Sequence, residues 1–238
     1  MPSIVWGRHP QEAYNNPFEY EAQEQFLREA KSLLDDFNIR LDQRTLRYHR
    51  DDQSLEKATW MLSLDLVDSL LECLELLREK RHRPASRLFR DAVETMDFLK
   101  VIHSNTQRGR FALEQWYQNR TIRHSEYRAH LREIKGEEAG KARKVYYEEL
   151  SKFTHRSYRA LLHSFSLGRD NLLVHDSHSR GLLVLPQTIA AYLAILADLI
   201  IQASDCLKDT KAIPPDGIDV AWVTSLEAKT VPRRFAIQ

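Results

Sequence analysis

Between residues 54 and 81 the apolar positions Ala58, Met61, Leu62, Leu66, Leu70, Cys73, Leu74 and Leu77 recur on a 3.6-residue period, the spacing that lines one side of an α-helix. The same period appears before and after this segment. After Asn16 a helix can start with Pro17 in its first turn, where the missing N–H is harmless, and Phe26, Leu33, Phe37 and Leu41 form its apolar face. Pro84 opens a third helix, whose face is Ala85, Leu88, Phe89, Ala92, Met96, Leu99 and Ile102. The segment 108–145 is less regular and predicts two short helices. A long helix then covers about 140–165, and a last one runs from about Gln187 to Lys208. Between these two, short apolar runs flank DSHSRG, which predicts a β-hairpin with Leu172–Asp176 as one strand. The expectation is one all-α domain, a bundle of six or seven helices over residues 18–208. It carries a small β-hairpin, an extended arm at 1–17, and a tail at 209–238 docked through Trp222, Val223 and Phe235.

Composition agrees with helix and narrows the function classes. Seven glycines and eight prolines in 238 residues, with Leu, Ala, Glu, Arg and Lys dominating the interior, are helix-former usage. A net charge of +1 gives no whole-molecule attraction for a polyanion. Cys73 and Cys206, the only cysteines, are not spaced for a zinc site and read as reduced, buried thiols. The N-terminal sequence lacks the basic and apolar regions of a signal peptide. The run LPQTIAAYLAILADLIIQASDCL approaches membrane-span length, but Asp198 would cost about 2.5–3.5 kcal/mol at a bilayer centre, so a bundle helix explains it better. The expected location is the cytoplasm. No glycine-rich phosphate loop, nucleophile elbow or HExxH pair is present, so neither a cofactor nor a metal is expected, although His124 with His130 and His175 with His178 pair closely in sequence.

The chemistry-bearing residues concentrate in YYEELSKFTHRSYRALLHSF, residues 146–165. At 100° per residue, Ser151, Thr154, His155 and Tyr158 all lie within about 80° of Tyr147, on the face the helix should bury. Buried polar groups without partners cost roughly 1–3 kcal/mol each. They therefore either line a polar pocket, with His155 as its titratable member, or form a plain helix–helix network in which Ser151 or Thr154 bonds back to its own helix. On the third helix Arg90 and Glu94 stand four apart, opposite the main apolar stripe and beside Phe98 and Val101. They belong to a cleft if both faces are covered, and to the surface otherwise.

The combination of LFRDAVETMDFL with the later YEELSKFTH resembles the bacterial helical family described as domain of unknown function 5677, over about residues 55–207. The resemblance implies a helical domain in which Arg90, Glu94, Tyr147, Ser151 and His155 are the recurring polar positions, and it implies no activity. A second likeness is GRDNLLVH, where Arg169 and His175 have the spacing of the motif of ribonucleases with the HEPN helical fold. That likeness implies metal-independent RNA cleavage across a homodimer, in bacterial stress or defence, with imidazole as acid/base and guanidinium on the phosphate. The motif belongs on a helix. In a strand its two residues are about 20 Å apart along the chain. The segment 108–145 holds ten Lys/Arg against five Glu, and Arg110, Arg120, Arg123, Arg128 and Arg132 interleave with Trp116, Tyr117 and Tyr127 in a way that suits RNA. The leading expectation is a binding module with an internal Arg–Glu–Ser–His pocket, completed by Tyr147, Thr154 and Tyr158, for a small polar or phosphorylated ligand. The alternative is the ribonuclease.

Overall fold

The computed structural model describes residues 18–122, 124–154, 158, 161, 165–167, 173–175 and 186–213. The terminal segments 1–17 and 214–238 lie outside these, as does Arg123. Among the described residues there are seven helices: α1 (Phe18–Asp42), α2 (Leu55–Arg78), α3 (His82–Ile102), α4 (Gln107–Tyr117), α5 (His124–Lys135), α6 (Glu137–Thr154) and α7 (Pro186–Asp209). Two short strands, β1 (Phe165–Leu167) and β2 (Leu173–His175), pair antiparallel between α6 and α7. The all-α bundle is the fold.

Local sequence explains most helix ends. Ser54 caps α2 by accepting the Lys57 N–H at 3.2 Å, and Thr106 caps α4 by accepting the Gly109 N–H at 3.1 Å. Each satisfies one of the donors a helix start leaves unpaired. At Gly109 a Cβ would meet the Val101 carbonyl oxygen at 2.5 Å, so glycine lets α4 start directly against the end of α3. Of the C-termini, α5 ends on a glycine, Gly136, at φ 85°, and three others close without one. Lys80, Asn119 and Lys211 take left-handed φ of 60°, 57° and 56°. The next N–H of each reaches back to Leu76, Gln115 or Leu207, the paired closing bonds of a Schellman end.

α3 is the centre. One side, through Ala85, Phe89, Ala92 and Met96, is buried against α2 and α7; Phe89 meets the ring of Tyr192 at 6.1 Å. The other side is covered too, because Phe98 packs against Trp116 of α4 and Tyr127 of α5 and Val101 is buried. α6 runs antiparallel to α3 and α7. α7 is almost wholly buried from Tyr192 onward, and its Asp198 accepts the Tyr146 hydroxyl at 2.7 Å and the Gln202 amide at 2.8 Å. Among the described residues no helix is long and apolar enough to cross a membrane. Cys73 and Cys206 are free and buried, and burial pushes the Cys206 thiol up to about 12.

Two expectations change. Phe165, expected to end the helix that carries Tyr147, begins β1 instead; α6 is described to Thr154, and Tyr158 and Leu161 are helical as well. Leu173–His175 is a strand, as expected, and it pairs antiparallel with Phe165–Leu167 in the register Phe165↔His175, Ser166↔Val174, Leu167↔Leu173; 176–185, where the other strand of the expected hairpin falls, lie outside the described residues. Met61, assigned to the apolar face of α2, is 41% exposed.

Candidate functional site

Polar side chains meet where α3, α5, α6 and α7 converge, and they do so because α3 presents a polar line. Arg90, Glu94 and Asp97 are spaced i, i+4, i+7, on one side of the helix. At the inner end Asp97 is buried. Arg143 of α6 donates Nε and Nη2 hydrogens to it at 2.7–3.0 Å, and His124, the first residue of α5, sits with Nε2 3.0 Å from its Oδ2. Burial opposes a charge on Asp97, but the His124 hydrogen bond and the Arg143 charge outweigh it and hold the carboxyl below its ordinary 3.8. Arg143 also donates Nη1 to Gln202 at 2.8 Å and lies 5.4 Å over the Tyr146 ring. Gln202, Tyr146 and Asp198 continue the network into α7.

At the outer end Arg90 donates Nε to Glu94 Oε1 at 2.8 Å, and the Tyr147 hydroxyl donates to the same oxygen at 2.5 Å. Both members of the Arg90–Glu94 pair keep about a third of their surface open (35% and 34%). Tyr147 joins the two ends. The Arg90 guanidinium lies 5.0 Å from its ring centroid, and the His124 imidazole stacks on it at 3.7 Å with 13° between the planes. Burial, then Glu94, pushes the Tyr147 phenol up to about 12, so it stays a hydrogen-bond donor at neutral pH. His124 is almost entirely buried, and its Nδ1 has no hydrogen-bond partner among the described residues.

Of the residues singled out in the sequence, Arg90, Glu94 and Tyr147 come together. Ser151 does not point its hydrogen into the group: its hydroxyl donates to the Tyr147 carbonyl at 2.8 Å, one turn back on its own helix. Tyr158 is helical but 76% exposed, which corrects its assignment to a buried face. Thr154 is the last residue of α6. His155 and Arg169 lie outside the described residues. His175 stands in β2, an extended strand and not the helix on which the ribonuclease motif sits.

In the basic segment Arg110 and Arg120 are exposed. Arg120 donates to Gln115, and Arg132 pairs with Glu137 at 3.7 Å. The Arg128 Nε is buried without a partner among the described residues, and Arg108 bridges to Glu133 at 2.8 Å. Among the described residues no cluster of His, Cys, Asp and Glu could hold a metal.

Asp97, His124, Arg143, Asp198 and Gln202 are the members sequence reasoning missed. Asp97 had a signal, since it continues the line of Arg90 and Glu94. Arg143 and His124 had none, being two polar residues in a segment full of them. No family model, no curated protein and no solved structure matches the chain. The class is therefore defined by the fold: an all-α helical bundle with a polar cluster built into one interhelical junction.

Proposed function

We propose that the chain is a binding module whose polar pocket, at the junction of α3, α5 and α6, takes a small polar or phosphorylated ligand. The histidine that the described residues bring to that pocket is His124, held by Asp97. One observation carries the reading: His124 is fixed by Asp97 on one side and Tyr147 on its face, yet its Nδ1 is buried with no hydrogen-bond partner among the described residues. Such an atom costs roughly 1–3 kcal/mol unless something meets it. The adjoining Arg90–Glu94 pair is open enough to admit that something. Shared polar positions at Arg90, Glu94 and Tyr147 are also what the likeness to the helical family of unknown function implies.

The test is thermal unfolding of the purified protein against a panel of small amines, amino acids, sugar phosphates and nucleotides. At least one compound is expected to raise the midpoint of the wild type, as ligands selective for a native state must. Glu94→Ala and His124→Ala, checked for helicity by circular dichroism, are expected to abolish that rise. A panel in which no compound distinguishes the wild type from these folded variants overturns the proposal. Incubation with total RNA in the same series reads the basic segment, and cleavage lost in His175→Ala would move the site to β2.

A further inference from the structure

An amphipathic helix ordinarily docks through apolar side chains on its inner face; α5 docks through an imidazole. His130 is its one buried residue, and neither ring nitrogen has a hydrogen-bond partner among the described residues. Beyond it, Arg132 to Lys135 are all exposed. A neutral imidazole suits such a place as a small plate with one N–H. Protonated, it carries a charge and two N–H donors, and burying these without partners is costly. The surroundings offer no relief. Glu133, one turn on, is the carboxylate that acts on the ring, and it is already paired with Arg108 of α4 at 2.8 Å. Asp97 of α3 is bound to His124 and Glu137 of α6 to Arg132. Among the described residues, the one charged group of another helix that acts on His130 is therefore the Arg108 cation, which disfavours a second positive charge beside it.

We infer that α5 is an acid-sensitive latch: when His130 takes up a proton, the helix lets go of the bundle beyond His124 while α2, α3 and α7 stay folded. This goes beyond the pocket reading and holds with or without a ligand. Burial first, Arg108 assisting and Glu133 opposing, holds the docked imidazole below its ordinary 6.5. The released helix binds the proton more readily, so docking is complete above 6.5 and weakens as pH falls, by at most about tenfold per pH unit for one proton. The first turn holds longer, because Asp97 stays ionised to below 3.8 and keeps its hydrogen bond with His124. Tyr127 leaves with the released part and uncovers Phe98, whose ring it meets at 5.8 Å.

The test is amide hydrogen exchange read by mass spectrometry on the whole chain from about pH 8 to about pH 5, each rate corrected for the intrinsic pH dependence of exchange. Protection across 125–135 is expected to fall about tenfold relative to α2 in the wild type. His130→Leu, checked for helicity by circular dichroism, keeps α5 docked and abolishes that fall. Two further variants move the response in opposite directions, which plain loss of structure would not do. Glu133→Gln removes the carboxylate that eases protonation of the docked ring and enlarges the fall. Arg108→Gln removes the opposing cation, frees Glu133 for the ring and shrinks it. Protection in α5 that tracks α2 at every pH, or a fall that persists in His130→Leu, overturns the inference.

Discussion

Asp97 carries its charge into a place water hardly reaches, and Arg143 is the reason it can. A buried pair of this kind costs desolvation that its attraction only roughly repays, but removing one member leaves the other uncompensated. Asp97→Asn is expected to destabilise the protein by about 3–5 kcal/mol in urea denaturation. The double change Asp97→Leu with Arg143→Met is expected to cost much less than the two single changes together, and a double-mutant cycle reads the difference. His130 makes a different point. It is buried on α5, and neither ring nitrogen has a partner among the described residues. Burial holds its imidazole below the ordinary 6.5, Glu133 opposing and Arg108 assisting. The unfolded chain therefore takes up this proton first as pH falls. The stability tied to the neutral ring is complete above 6.5 and is lost as pH drops through the lower folded value. Thermal midpoints measured from about pH 8 to about pH 5 should fall in the wild type and fall less in His130→Leu. The burial of neither residue was legible in the sequence: Asp97 shows there only as a continuation of the Arg90–Glu94 line, and a single Asp or His in an amphipathic helix looks the same whether it faces water or an arginine.

At the scale of elements, helix starts were easier to read than helix ends. Ser54 was visible as the start of α2, and Ser54→Ala is expected to cost about 1 kcal/mol. The stops of α2, α4 and α7 were hidden because their left-handed positions are Lys80, Asn119 and Lys211, unlike that of α5 at Gly136. Left-handed backbone costs a β-carbon-bearing residue roughly 1–2 kcal/mol, partly offset by the greater freedom glycine has when unfolded. Lys80→Gly is accordingly expected to stabilise the protein by about 0.5–1 kcal/mol in the same denaturation assay. The end of α6 shows a different limit. The apolar period continues through Phe165, yet Phe165 pairs with His175 in a sheet. A short apolar run satisfies helix and strand periods alike, and a nearby partner strand decides between them.

Taken whole, the molecule is built around α3, with α2 and α7 on one side and α4, α5 and α6 on the other. The two sides differ in burial. The buried part of α7 is nearly continuous, whereas His130 is the one buried residue of α5. Local opening follows buried contact. Amide hydrogen exchange should therefore be slowest in α2, α3 and α7 and measurably faster in α5, and equal protection in α5 would contradict this division. The polar site lies on the boundary between the two sides, so α5, which brings His124, is the element whose opening would expose it.

Period and composition alone determined that this chain is a helical bundle, roughly where its helices lie, and that Arg90 and Glu94 share a helix side, because these are properties of residues close in sequence. They could not determine which carboxylate is paired, which histidine faces it, or where α6 yields to a strand. Arg143 lies 46 positions from Asp97, and His124 lies 27 from it. Contacts at such separations depend on how whole helices pack, and only the tertiary structure brings those three side chains within hydrogen-bonding distance.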